Sequence, residues 1–179
     1  MVIVGCASGN SCYFYRSGIC STSITQPIEP MSTLDHLKTK IQSKESISFI
    51  LNSLRFFNKK IVFTNGVFDL MHLGHVDYLS KAKDCGYILI VGMNSDASVK
   101  MLNKGDARPL QDQTSRSMVL ASLNFVDYVV IFDEETPYEL IKALQPDVLV
   151  KGADYKVEQI AGHDIVLARG GEVKLIELV

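Results

Sequence analysis

The stretch Ile61-Val62-Phe63-Thr64-Asn65-Gly66-Val67-Phe68-Asp69-Leu70-Met71-His72-Leu73-Gly74-His75 decides how the rest of the chain is read. It opens with an apolar run, Ile61-Val62-Phe63, that fits a buried strand. Asn65-Gly66 breaks the run as a turn dipeptide tolerant of unusual backbone angles. His72 and His75 follow, three apart, with Gly74 between them, and Val76, Leu79 and Ala82 then recur at helical spacing. The reading is strand, glycine turn, and a helix whose first turn carries two histidines on one face. Backbone N–H groups left open at a helix start attract anions. A His-x-x-His pair alone is more often surface decoration or packing, and no third ligand stands at a zinc-like spacing. The preceding strand, the Asn-Gly turn and a glycine that admits a ligand to the backbone together point to phosphate.

Outward from this stretch, strands alternate with helices. Leu34, Leu37, Lys38 and Ile41 form one helical pattern, and Ile47, Ile50, Leu51, Leu54 and Phe57 a second, a helical lead-in over 31–59. After the central motif come strands at Tyr87 to Gly92, Asp127 to Phe132, Val148 to Lys151 and Val173 to Glu177. Helices are expected after Ser95 or Asp96, from Thr114 to Leu123, after Thr136-Pro137, and near Asp164 to Ala168. The pattern predicts a Rossmann-like, doubly wound α/β fold over 60–179: a parallel five-stranded sheet with helices on both faces. Ligands of such folds bind beyond the strand C-termini, at the switch in strand order. Thr64-Asn65-Gly66, Asn94-Ser95-Asp96 and Lys151-Gly152-Ala153-Asp154-Tyr155 each directly follow a strand, where that rule wants them.

With 179 residues, 47% of them hydrophobic, the chain can bury the core of one domain. A net charge of −2 argues against non-specific nucleic-acid binding, and no apolar run is long enough to span a membrane. Four cysteines without framework or zinc spacing point to a reducing compartment, hence the cytoplasm. Residues 1–30 are rich in Ser, Gly, Thr and Cys and carry only Arg16 and Glu29 as charges. Ile3-Val4-Gly5-Cys6 superficially resembles a lipoprotein cleavage site, but no basic region or sufficient apolar stretch precedes it. The expectation is a disordered or misannotated leader, with Met31 opening a single domain over 31–179.

The run from Thr64 to His75 resembles the signature of the cytidylyltransferase-like nucleotidyltransferases. A narrower likeness comes from motifs in order. These are Phe63 to Asp69, Val91-Gly92-Met93-Asn94-Ser95-Asp96, Lys104-Gly105-Asp106-Ala107-Arg108-Pro109, Leu149 to Tyr155, Ile160-Ala161-Gly162 and Gly170-Gly171-Glu172-Val173. Together they are similar to the adenylyltransferase domain of bacterial ADP-heptose synthases, over about 34–179.

That resemblance implies transfer of AMP from ATP to D-glycero-D-manno-heptose 1-phosphate, giving ADP-heptose and pyrophosphate for lipopolysaccharide or another heptose glycan. It implies His72, His75 and Lys151 as catalytic cations. It implies nucleotide or substrate contacts by Thr64, Asn65, Gly66, Val67, Phe68, Gly74, Asn94, Asp96, Gly152, Asp154 and Tyr155. Arg108 and Arg116 are candidate phosphate clamps, and Asp69 a helix cap. Mg²⁺ is expected as cofactor, held mainly by phosphates. The late Ser/Thr-rich phosphate motif of the wider superfamily has only Thr114-Ser115-Arg116-Ser117 and Ile160-Ala161-Gly162 as counterparts. The expectation is that the sugar kinase domain of the bifunctional enzyme does not precede this one and that a separate heptose kinase supplies the substrate; a homodimer is common in similar proteins. Two other readings compete: a cytidylyltransferase acting on a polyol or alcohol phosphate, and a nucleotide-binding module without catalysis. The loop Lys104 to Pro109 and the segment Lys151 to Tyr155 favour the adenylyltransferase.

Overall fold

The computed structural model describes residues 31–102 and 108–177. The expectations for the leader 1–30 and for residues 104–107 of the Lys104 to Pro109 loop lie outside the described residues. The elements, in order, are α1 (Thr33–Thr39), β1 (Ile41–Gln42), α2 (Lys44–Phe56), β2 (Ile61–Gly66), α3 (Leu73–Lys83), β3 (Ile88–Asn94), α4 (Asp96–Met101) and α5 (Gln113–Ser122). They continue with β4 (Tyr128–Phe132), α6 (Tyr138–Leu144), β5 (Val148–Gly152), a 3₁₀ turn (Val157–Gln159), α7 (His163–Ala168) and β6 (Glu172–Ile176). Side-chain oxygens of Ser32, Ser43, Ser95 and Asp112 cap α1, α2, α4 and α5, each accepting a first-turn backbone N–H.

All strand pairs are parallel, and the sheet order is β1-β4-β3-β2-β5-β6. The expected doubly wound sheet is present, with six strands among the described residues rather than five. The extra one is β1. Ile41 was expected on the first helix; instead α1 ends at its Lys40 cap, and Ile41 pairs with Val129 at the sheet edge. Two residues are too few to show a strand period, so only the partner strand selects this conformation.

The central strands are buried on both faces, as parallel sheets require. On one face Ile61, Phe63 and Ile90 pack with Ile47 and Leu51 of α2, Leu140 and Ile141 of α6 and Val166 of α7. On the other, Val62, Leu89 and Val91 pack with Leu79 and Ala82 of α3 and Leu120 and Ala121 of α5. Alternation along β2 thus sends successive side chains into two separate cores. No helix among the described residues is long and apolar enough to cross a membrane.

Two features of the ladder position the site. β2 pairs with β3 along its whole length, from Ile61↔Ile88 to Gly66↔Met93. With β5 it pairs only at Val62↔Val148 and Phe63↔Leu149. Beyond Phe63 and Leu149 the two strands part, and a crevice opens at the switch in strand order. The second feature corrects the expected Asn65-Gly66 turn. β2 runs through both residues, and the left-handed residue is Phe68, at φ 48°. Its ring folds back over Gly66, where an added Cβ would lie 3.0 Å from Phe68 Cε2. Gly66 therefore admits the close approach of the Phe68 ring, and its own backbone angles are those of a strand.

Candidate active site

The crevice is a cleft of about 340 Å³. Asn65, Gly66, Val67 and Phe68 line it from the end of β2, and His72, Gly74, His75 and Tyr78 from the start of α3. Lys151, Gly152, Asp154 and Tyr155 line it from the end of β5. Two segments far apart in the chain, Asn65 to Tyr78 and Lys151 to Tyr155, thus converge on one space; of the three motifs expected directly after a strand, Asn94-Ser95-Asp96 does not line it.

His72 is the N-cap of α3, and its Nδ1 accepts the Gly74 N–H at 3.1 Å. In the neutral ring this leaves the proton on Nε2, so His72 offers a donor away from the helix. His75 lies in the first turn, its ring centroid 4.1 Å from that of His72 and 5.5 Å from that of Phe68. Burial, and then the neighbouring His72, hold the His75 pKa below the ordinary histidine value. His75 Nδ1 and Asn65 Oδ1 are buried and make no hydrogen bond among the described residues. Lys151 Nζ donates to the Asn65 carbonyl at 3.1 Å and lies 5.5 Å from the centre of the Tyr155 ring. The walls therefore bring an ammonium and two imidazoles together, an arrangement suited to an anion that can draw on several donors.

Five expected site residues lie elsewhere. Thr64 is fully buried beneath the cleft, and its hydroxyl meets the Tyr78 hydroxyl at 2.7 Å. Asn94 is buried, with Nδ2 donating to Ser98 Oγ. Asp96 accepts from Arg116 Nη2 at 2.5 Å and from the Gln113 N–H at 3.2 Å, tying α4 to α5. Arg116 is not a phosphate clamp in this arrangement. Its side chain is fully buried, with Nη1 donating to the carbonyls of Val67 (2.7 Å) and Asn94 (2.8 Å) and Nε to that of Gln111 (3.0 Å). A guanidinium so enclosed satisfies carbonyls that the ends of β2 and β3 leave open. Arg108 is half-exposed and pairs with Asp69 at 2.8 Å.

Asp69 does not cap α3, a task His72 performs. Its carboxylate accepts the N–H groups of Leu110 (2.8 Å) and Gln111 (3.1 Å) and the Arg108 guanidinium. Burial pushes its pKa upward, but these donors outweigh burial and leave it below the usual carboxylate range. Neither late-motif counterpart lines the cleft. Ser115 and Ser117 serve α5, bonding to Asp112 and the Thr114 carbonyl. Gly162, at φ 82°, packs where a Cβ would lie 2.7 Å from Ile141.

Tyr78 is the cleft residue that sequence reasoning missed. One signal was available: Tyr78 stands three residues after His75, and residues three apart share a helix face.

The family model described as cytidylyltransferase-like matches residues 63–172, more than half of the chain. Among curated relatives, the bifunctional protein HldE of Wolinella succinogenes is 57% identical over 140 residues, covering 78% of this chain and 28% of the relative. That of Nitratiruptor sp. is 58% identical over 139 residues, covering 78% and 29%. That of Citrifermentans bemidjiense is 46% identical over 166 residues, covering 90% and 34%. The chain thus spans about a third or less of the length of these relatives. Among solved structures, the lipopolysaccharide core biosynthesis protein from Thermoplasma volcanium superimposes with a TM-score of 0.56 at 27% identity, covering 68% of this chain and 97% of that one. The pantoate–beta-alanine ligase from Francisella tularensis, at 18% identity and a TM-score of 0.57 over 76% of this chain and 66% of that one, shares the fold. On the extent of the family match and the identity to these relatives, the chain belongs to the cytidylyltransferase-like family.

Proposed function

We propose that the cleft transfers AMP from ATP to a D-glycero-D-manno-heptose 1-phosphate, forming ADP-heptose and pyrophosphate. The observation that carries the reading is the convergence of His72, His75 and Lys151 on one crevice at the strand-order switch. It occurs in a chain more than half identical, over 139 or 140 residues, to bifunctional HldE proteins. A phosphate oxygen of the sugar attacks the α-phosphorus in line. The new P–O bond forms as the bond from the α-phosphorus to the bridging oxygen breaks, and pyrophosphate leaves with that electron pair. A phosphate monoester is already largely ionised near neutral pH, its second pKa being about 6, so no general base is required. The barrier is the meeting of two anions. His72, His75 and Lys151 lower it by holding the phosphates in place and offsetting charge on the leaving pyrophosphate.

Mg²⁺ takes oxygen ligands. Asp154 and the Asn65 amide oxygen are side-chain oxygens on the cleft wall. No cluster of three or more His, Cys, Asp or Glu able to hold a metal occurs among the described residues. That donor set fits an ion carried in chiefly by the nucleotide phosphates. Bound there, Mg²⁺ would neutralise phosphate charge. The reading places the reaction in the cytoplasm, where ATP is supplied, with a heptose kinase providing the acceptor.

The test is pyrophosphate release by the purified full chain, given Mg²⁺, ATP or CTP, and a panel of sugar 1-phosphates and alcohol phosphates including both heptose anomers. Release with ATP and a heptose 1-phosphate is expected. Release with CTP and an alcohol phosphate would replace this reading with a cytidylyltransferase. ATP binding without release from any pair would leave a non-catalytic module.

A further inference from the structure

The floor of the cleft is where β2 and β5 stop pairing. Their last rung is Phe63↔Leu149, and the residues that would make the next one are Thr64 and Val150. The ladder does not continue to that rung; the Tyr78 hydroxyl bridges its two residues. It donates to the Val150 carbonyl at 3.1 Å and meets Thr64 Oγ1 at 2.7 Å. A carbonyl only accepts, so the Tyr78 proton points to Val150 and Thr64 donates to Tyr78. One ordered chain, Thr64 to Tyr78 to Val150, therefore links β2, α3 and β5. Tyr78 and Thr64 are buried, at 7% and 0% exposure, so solvent cannot easily replace either partner. Burial raises the Tyr78 pKa above the ordinary tyrosine value, so the hydroxyl remains a donor at any working pH. One residue further along, Lys151 Nζ spans the same split to the Asn65 carbonyl.

We propose that Tyr78 is a positioning residue: its hydroxyl is the spacer that sets how far β2 and β5 part, and so the separation between the histidine pair on α3 and Lys151 on β5. A phenol in place of a ladder rung holds the strands apart by the width of a side chain while still satisfying the Thr64 hydroxyl and the Val150 carbonyl. Tyr78 also lies one helical turn after His75, so the same anchor fixes the pitch of α3 over the cleft. The kinetic part of the test rests on the adenylyl-transfer reading; the structural part does not.

The test uses the full chain carrying Tyr78→Phe, which keeps the ring and removes only the hydroxyl. Displacements of about 1 Å at a reacting group cost on the order of 100-fold in rate. The expected result is a kcat about 10- to 100-fold lower, with KM for ATP changed less than about threefold. Thr64→Val, which attacks the chain from its other end, is expected to act in the same direction. The double variant should be no worse than the poorer single, because both break one chain. Thr64→Ser restores the hydroxyl and should keep near wild-type kcat. Crystal structures of wild type and Tyr78→Phe should differ by about 0.5 Å or more in the His75–Lys151 separation, the tolerance within which such constellations work. An unchanged kcat in Tyr78→Phe, whatever its melting temperature, would overturn the inference. So would losses from Tyr78→Phe and Thr64→Val that simply multiply. If wild type releases no pyrophosphate with any acceptor, the functional reading fails and the crystallographic separation alone decides: a shift supports the spacer, superposition refutes it.

Discussion

The two sides of β2 treat nitrogen-bearing side chains in opposite ways. Towards β3 the ladder runs to Gly66↔Met93, and just past its end the buried Arg116 gathers the carbonyls of Val67 and Asn94. Towards β5 the ladder stops two residues before Asn65, and His72, His75 and Lys151 line the opening. The residues on both sides were expected to hold phosphate. The structure separates them by whether strand ends close or part. Where the strands stay paired, the loops leaving them abut, and their open carbonyls draw in a guanidinium. Where they part, a crevice remains whose lysine and histidine side chains face a space for a ligand.

The largest effect that could break this contrast is Arg116→Ala. Removing the guanidinium leaves the Val67 and Asn94 carbonyls and the Asp96 carboxylate short of donors. Breaking a buried charged network typically costs about 3–5 kcal/mol. Denaturant unfolding is expected to show a loss of that order. Unchanged stability with lost ATP affinity would instead put Arg116 in contact with ligand.

On the open side, His75→Ala should slow pyrophosphate release by about 10²–10³-fold, the cost of losing one oriented donor. Its stability should stay within about 1 kcal/mol of wild type, since the ring is partly exposed and its Nδ1 makes no hydrogen bond among the described residues. A fully active His75→Ala protein would remove the catalytic reading of the cleft. Asp69→Asn is the intermediate case. It keeps the shape but weakens the hold on Leu110, Gln111 and Arg108, with an expected cost of about 1–3 kcal/mol and faster proteolysis near residue 108. Proteolysis unchanged from wild type would show that the loop is held by other contacts.

The smallest expected effect is in pH. The His75 pKa in the folded protein lies below its unfolded value of about 6.5, because burial and His72 disfavour the charged ring. As pH falls through that value, the unfolded chain takes up the proton first, so stability declines on acidification; above it His75 contributes no slope. Unfolding measured at successive pH values should show this decline in wild type and less of it in His75→Gln. Equal slopes in the two proteins would place the titrating group elsewhere.

Long apolar runs and regularly spaced motifs made most of the fold legible in the amino-acid order. The strand at Ile61, the helix bearing the histidines, and the strand-end positions of Asn65, Lys151 and Asp154 all follow from local patterns that a parallel sheet then uses directly. β1 was not legible, because two residues adopt strand geometry only when Val129 is there to pair. Nor was the division of labour among polar residues. An arginine on a helix looks the same in sequence whether it faces solvent, a ligand or three carbonyls, and Arg116 faces the carbonyls. Asp69 looked like a cap because it precedes α3, yet the cap is His72 and the Asp69 partners arrive from residues 108–111.

The sequence by itself determined the five longer strands and the helices between them, that they alternate, and that phosphate-seeking groups follow the strand ends, since all of these depend on near neighbours. Only the tertiary structure decided that β2 leaves β5 after two rungs while staying with β3 to its end. That choice depends on Tyr78, Lys151 and Arg116 meeting backbone groups far away in the chain. Their hydrogen bonds exist only once the sheet has brought those groups together.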